Sequence, residues 1–125
     1  MAKKILIVDD DPQYREATTT MLEAKGYTVS SAKDGEEGFQ KAEILMPDLI
    51  LLDVMMTHKS EGFDFARNIK KSKAKDIPII IVTGVRQEMN LPFGFEADED
   101  WLPVKAVMEK PVKPQELLET ISKYI

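Results

Sequence analysis

Short apolar segments that each lead into a polar or charged residue constrain the fold of this chain more than any other feature. Four such segments have four to six residues each, and the first three consist mainly of isoleucine, leucine and valine. They are residues 4–8, 49–52, 77–82 and 106–109, followed by Asp9, Asp53, Thr83 and Lys110. Such runs are typical of parallel strands buried on both faces, and their alternation with helical stretches favours right-handed βαβ crossovers. The sequence therefore predicts an α/β fold with a doubly wound parallel sheet and helices on both faces.

The stretches between these segments predict the remaining elements. Asp11 and Pro12 favour the start of a helix at residue 12, and Ala17 is expected on its inward face. Leu45 is expected to face the core from the second helix. The predicted helices cover residues 12–25, 36–46, 63–71 and 114–124, and a weaker strand covers residues 27–31. Residues 85–103 contain three helix breakers and lack a helical period, so we expect the fourth crossover to be mostly irregular.

Composition limits the number of domains and the classes of function. A chain of 125 residues fits one domain, and we expect residues 1–125 to form a single domain that stands alone without a fused output domain. The net charge of −5 argues against direct binding of nucleic acid, which needs a basic face. The absence of cysteine excludes disulfides, thiolate metal sites and a cysteine nucleophile. Only four apolar residues lie between Lys4 and Asp9, too few for a signal peptide or membrane span, so we expect a cytoplasmic protein that does not contact a membrane.

The residues at the strand ends predict a site for anion and metal chemistry. Because the carboxyl ends of parallel strands share one edge of a sheet, Asp9, Asp10, Asp53, Thr83 and Lys110 should converge there. Asp53 follows an apolar run directly and is expected to be a nucleophile or a metal ligand, although a turn or cap residue also fits its position. Clustered carboxylates repel one another unless a cation joins them, and oxygen ligands suit Mg²⁺, with Mn²⁺ as an alternative. Lys110 would then bind an anion rather than act as an ordinary surface lysine.

Four motifs together resemble the receiver domain of two-component response regulators across essentially the whole chain. They are ILIVDDDP at residues 5–12, LLDVMM at 51–56, IVTG at 81–84 and EKPV at 109–112. The resemblance implies a flavodoxin-like fold with five parallel strands in the order 2-1-3-4-5. It also implies that Asp53 accepts a phosphoryl group from the phosphohistidine of a sensor histidine kinase in a magnesium-dependent reaction.

The resemblance implies roles for the other strand-end residues and also shows departures from the family pattern. The implied magnesium ligands are Asp9, Asp10, Asp53 and the main-chain carbonyl of Met55, and the implied phosphoryl-binding residues are Thr83, Gly84 and Lys110. Pro111 is the candidate for a cis peptide bond. Thr57 stands where the family usually has proline, and Val107 stands where it carries a switch aromatic. The absence of that aromatic ring leaves the mode of readout open.

Several classes of function remain open from the residues alone. The leading hypothesis is a switch that catalyses only its own phosphorylation and dephosphorylation. Its partners would be a sensor histidine kinase or phosphotransfer protein and an unknown, separate downstream protein. The alternative is a receiver-like interaction module that works without phosphorylation. A haloacid-dehalogenase-type phosphatase is disfavoured because Met55 replaces the second acid, and a nucleotide-binding flavodoxin relative is disfavoured because no glycine-rich phosphate loop follows any strand.

Overall fold

The computed structural model describes residues 3–53, 61–83, 105–109 and 112–125, apart from the side chains of residues 61–64, 83 and 109. The strands of the described residues form one parallel sheet in the order β2-β1-β3-β4-β5. They are β1 (Lys4–Val8), β2 (Thr28–Ala32), β3 (Leu49–Leu52), β4 (Ile79–Thr83) and β5 (Ala106–Glu109). This confirms the predicted parallel sheet and its strand order. Among the described residues, no helix has the length and apolar character needed to span a membrane.

Within the described ranges, three helices lie between consecutive strands and a fourth follows β5, with bounds within two residues of the predicted ones. They are α1 (Pro12–Ala24), α2 (Gly35–Leu45), α3 (Glu61–Lys70) and α4 (Pro114–Ser122). Asp11 is the N-cap of α1, as predicted, and its carboxylate accepts a hydrogen bond from the Gln13 amide at 3.0 Å. Asp34 caps α2 in the same way through the Glu37 amide at 2.8 Å. The crossover predicted to be irregular, residues 85–103, lies outside the described residues.

Two hydrophobic clusters cover the two faces of the sheet. The first packs α2 and α3 against the sheet, and the second packs α1 and α4 against the opposite face. Members from β1 and the helices are Leu6, Val8, Ala42, Phe65, Ala66 and Ile69 in the first cluster, and Ile5, Ile7, Leu22, Leu117 and Ile121 in the second. Alternate residues of β1 thus face opposite clusters, as the two-residue period of a strand requires. Because helices pack on both faces, the central strands are held in place, and so is the main chain of the residues that follow them.

The predictions for Ala17 and Leu45 are wrong. Ala17 is exposed and Thr18 is buried instead, so the inward stripe of α1 runs one residue further along than predicted. Leu45 is 38% exposed, and it is the last residue of α2. Met46 follows in the left-handed conformation, with φ of 47°, and this turns the chain away from the helix axis. Both errors occur at the margin of an apolar stripe, where helical periodicity does not decide which neighbour is buried.

Gly38 allows α2 to approach the end of β1 closely. A Cβ atom here would lie 2.8 Å from Val8 Cγ2 and 3.1 Å from Phe65 Cε2. Both neighbours are buried, and the β-branched Val8 has little freedom to turn away. The substitution Gly38→Ala gains ~1 kcal/mol of helix propensity but overpacks the core at a cost of roughly 1–3 kcal/mol. We therefore expect Gly38→Ala to lower the free energy of unfolding in urea by about 1 kcal/mol, the difference between these two effects.

A double-mutant cycle with Val8 tests the cause of this loss. In a Val8→Ala background the two closest methyl groups are absent and only the Phe65 ring remains near the new Cβ atom, so Gly38→Ala should lose most of its destabilising effect. Stabilisation by Gly38→Ala in both backgrounds would contradict the proposed limit on the approach of α2 to β1.

Candidate functional site

Backbone pairing places Asp9 and Asp53 side by side at the carboxyl edge of the sheet. β1 and β3 pair in parallel with Val8 opposite Leu52, so the next residue of each strand lies at the same level. The Asp53 amide donates a hydrogen bond to the Val8 carbonyl at 2.9 Å, which extends the ladder one residue beyond the strand. The Asp9 amide donates to the Ala32 carbonyl of β2 at 3.1 Å. Three adjacent strands therefore fix the backbone of the two aspartates.

The side chains of Asp9, Asp10 and Asp53 form one acidic cluster. Each offers a carboxylate oxygen, and these oxygens all lie within 4.8 Å of one another. Asp9 is 1% exposed and Asp53 is 6% exposed, whereas Asp10 is exposed to solvent. Asp9 Oδ1 accepts a hydrogen bond from the Asp11 amide at 2.9 Å, which orients that carboxylate. The predicted convergence of these three acids is thus present in the structure.

The geometry and chemistry of this cluster fit a magnesium ion. At an effective dielectric constant of ~20, two like unit charges ~4 Å apart repel by ~4 kcal/mol, so an added divalent cation would relieve a substantial cost. All three donors are hard carboxylate oxygens, the ligand type that Mg²⁺ prefers. Two oxygens bound to one Mg²⁺ at ~2.1 Å lie at most ~4.2 Å apart, so only small side-chain rotations are needed to bring these oxygens onto one ion.

Asp11 has a structural function that separates it from the cluster. Its carboxylate caps α1, and its amide orients Asp9. It is not among the three acids whose oxygens converge. The expectation that Asp11 serves as a helix cap is therefore confirmed.

The structure places the remaining predicted site residues only in part. Thr83 is the last residue of β4, the neighbour of β3, so its backbone lies at the same edge of the sheet. Val107 lies in β5 opposite Ile81, where it is partly buried and packs against the first hydrophobic cluster. Four predicted site residues lie outside the described residues: Met55, Gly84, Lys110 and Pro111.

Sequence reasoning missed Arg15, which lies next to the cluster. Its guanidinium Nη1 donates a hydrogen bond to the main-chain carbonyl of Asp9 at 2.5 Å. Arg15 is in the first turns of α1, and its amide donates to the Asp11 carbonyl at 3.0 Å. The sequence does contain one indication of this position. Arg15 follows the cap Asp11 by four residues, and residues four apart lie on the same face of a helix.

The fold and the acidic cluster agree with comparisons against known proteins. The family model of the response regulator receiver domain matches residues 5–122, so the chain belongs to the receiver-domain family of two-component signalling proteins. The alkaline phosphatase synthesis transcriptional regulatory protein PhoP of Bacillus subtilis is 38% identical over 117 residues, which are 94% of this chain and 46% of PhoP. The DNA-binding dual master transcriptional regulator RpaA of Synechocystis is 34% identical over 119 residues, which are 94% of this chain and 47% of RpaA.

A solved structure agrees with the same assignment. The response regulator TrrA from Thermotoga maritima, crystallised in complex with Mg²⁺ and BeF, superposes with a TM-score of 0.81 at 31% sequence identity. The match covers 98% of this chain and 99% of the TrrA chain. The flavodoxin-like receiver fold predicted from the motifs is therefore confirmed.

The prediction of a separate downstream protein without direct nucleic-acid binding is wrong. RpaA is a DNA-binding regulator, and PhoP is a transcriptional regulatory protein. This chain spans about half the length of these curated relatives. The net charge of −5 describes only the surface formed by these 125 residues. It carries no information about the surface of the other half of such regulators, so charge was the wrong basis for excluding DNA.

Proposed function

We propose that Asp53 accepts a phosphoryl group from the phosphohistidine of a sensor histidine kinase in a magnesium-dependent reaction. The observation that carries this proposal is a buried carboxylate, Asp53, directly after an apolar central strand and within 4.8 Å of two further carboxylates. An aspartate that served only as a helix cap or turn residue would not need two further carboxylates nearby, because the repulsion between them destabilises the folded state. A phosphoacceptor does need them, because they hold the cation on which the transfer depends.

The residues of the cluster would divide the work of phosphoryl transfer. An oxygen of Asp53 forms the new P–O bond while the P–N bond to the donor imidazole breaks, and the electron pair of that bond stays on the imidazole. Asp9, Asp10 and Asp53 would hold Mg²⁺, which supplies positive charge that offsets the charge of the transferring group. The complex of TrrA with Mg²⁺ and BeF supports the same assignment for this chain.

The receiver motifs add residues to this proposal. Met55 would contribute its main-chain carbonyl to the ion. Thr83, Gly84 and Lys110 would bind the phosphoryl oxygens, of which Lys110 provides the only positive charge. Because PhoP and RpaA are transcriptional regulators, we propose that the phosphorylation state of Asp53 controls transcription. A kinase donor uses cytoplasmic ATP, so the proposal places the reaction in the cytoplasm.

One observation favours a second function, an interaction module that works without phosphorylation. The switch position carries Val107, which is partly buried against the core and has no ring that could rotate. The acidic cluster favours the phosphoacceptor, because an interaction module has no use for three converging carboxylates.

Incubation with acetyl phosphate and Mg²⁺, followed by intact-mass measurement, tests these functions against each other. A phosphoacceptor gains the mass of one phosphoryl group, and this adduct is lost on treatment with hydroxylamine, which cleaves acyl phosphates. Chelation of Mg²⁺ before the donor is added should prevent the adduct. A phosphatase would instead release inorganic phosphate continuously, and an interaction module would show neither adduct nor release. Either of the last two outcomes would reject the proposed function.

A further inference from the structure

Arg15 connects α1 to the segment that supplies two of the three clustered acids. The Arg15 guanidinium donates to the Asp9 carbonyl at 2.5 Å, and the Arg15 amide donates to the Asp11 carbonyl at 3.0 Å. The amide bond is the first main-chain bond of α1 and does not depend on the side chain, so the guanidinium alone ties α1 to the main chain directly before Asp10. The Arg15 side chain is partly buried, which limits its freedom to leave this position.

The other contacts of this segment leave Asp10 dependent on its neighbours. The Asp9 amide is tied to β2 through the Ala32 carbonyl, and the Asp11 amide is tied to Asp9 Oδ1. Asp10 is exposed, so core packing does not orient it. The backbone on either side of Asp10 sets the direction in which its side chain leaves the main chain, and Arg15 holds the Asp9 carbonyl directly before it.

We infer that Arg15 is a positioning residue for the metal site. It fixes the Asp9 carbonyl and thereby keeps the Asp9 and Asp10 carboxylates within reach of Asp53 before a cation arrives. A hydrogen bond from a charged donor is stronger than one between neutral groups, so Arg15 suits this task better than a neutral residue. The inference rests on the proposed function, because it assumes that the acidic cluster binds Mg²⁺.

The positive charge of Arg15 should weaken Mg²⁺ binding, whereas its hydrogen bond should strengthen it. A test must separate these two effects. A guanidinium near the site repels Mg²⁺, so loss of the charge alone would tighten binding. Loss of the hydrogen bond alone would weaken binding, because the acids must then be ordered when the ion binds. Arg15→Gln removes the charge but keeps an amide that can donate to the Asp9 carbonyl. Arg15→Met removes both at similar length.

Isothermal titration with MgCl₂ on the full chain measures this difference. We expect Arg15→Met to weaken Mg²⁺ binding by about tenfold, the lower end of the range for residues that orient metal ligands. Arg15→Gln should remain within about twofold of the wild type, because the donor is kept. Lys25→Met is the matched control: it removes one positive charge at the opposite end of α1 and should not change the affinity.

The other possible results would contradict either the positioning role of Arg15 or the proposed function on which it rests. Unchanged affinity in Arg15→Met, or tighter binding in both Arg15→Met and Arg15→Gln, would show that Arg15 does not position the site. Arg15→Ala has the same expectation as Arg15→Met and a higher helix propensity, so it replaces that variant if Arg15→Met does not fold. Absence of Mg²⁺ binding in the wild type would instead reject the proposed function.

Discussion

Asp53→Asn is expected to abolish the phosphoryl adduct completely. The side-chain amide has nearly the same shape as the carboxylate, so it can occupy the same 6%-exposed position after β3. Its amide group is a far weaker nucleophile than a carboxylate, and it removes one charge from the magnesium ligands. Intact-mass measurement with acetyl phosphate and Mg²⁺ gives the result directly: one adduct on the wild type and none on the variant.

Asp48→Asn is the matched control for this prediction, because Asp48 precedes β3 and Asp53 follows it. Asp48 Oδ2 accepts a hydrogen bond from the Lys4 amide at 2.7 Å, and an asparagine oxygen can accept the same bond. We therefore expect Asp48→Asn to be phosphorylated at the wild-type rate. An undiminished adduct on Asp53→Asn would assign phosphorylation to another residue, and loss of the adduct in both variants would indicate a general effect on folding.

The sequence predicted the sheet well because the strands of this fold differ sharply from their surroundings. Segments 49–52 and 79–82 are uninterrupted runs of isoleucine, leucine and valine, and a polar residue follows each. In a parallel sheet this pattern fixes both the strand and the edge at which its polar residue lies. The order of the strands has a different origin. It came from the resemblance to receiver domains, since apolar runs do not identify their neighbours in a sheet.

Within the site, residue type does not distinguish three consecutive aspartates, so the sequence assigned Asp11 as a cap from the proline that follows it and assigned Asp9 and Asp10 as metal ligands from the resemblance to receiver domains. Asp9, Asp10 and Asp11 are the same residue type, and their order alone does not determine which carboxylates face the sheet edge. The structure separates them through hydrogen bonds, since Asp11 is used by the Gln13 amide as the cap of α1. Arg15 escaped prediction for a related reason. Its contact is with a main-chain carbonyl, and the spacing of four residues from Asp11 places Arg15 near the start of the helix without identifying that partner.

Asp10→Ala and Asp11→Ala are expected to have opposite effects on metal affinity and stability. Asp10→Ala removes one of the three converging carboxylates, so we expect Mg²⁺ affinity to fall by at least about tenfold. It should leave the metal-free melting temperature unchanged or raised, because like-charge repulsion in the cluster falls.

Asp11→Ala removes the N-cap of α1 and should therefore cost ~1 kcal/mol of stability, as loss of an N-cap usually does. Its Mg²⁺ affinity should stay within about threefold of the wild type, because the Asp11 amide that orients Asp9 is kept. Calorimetric titration and thermal melts of the same two preparations measure both quantities. We thus expect one variant to lose Mg²⁺ affinity and the other to lose stability. A general weakening of the fold would instead lower both quantities in each variant. Equal losses of affinity at the two positions would place Asp11 at the metal and contradict the division of the aspartates into cap and ligand.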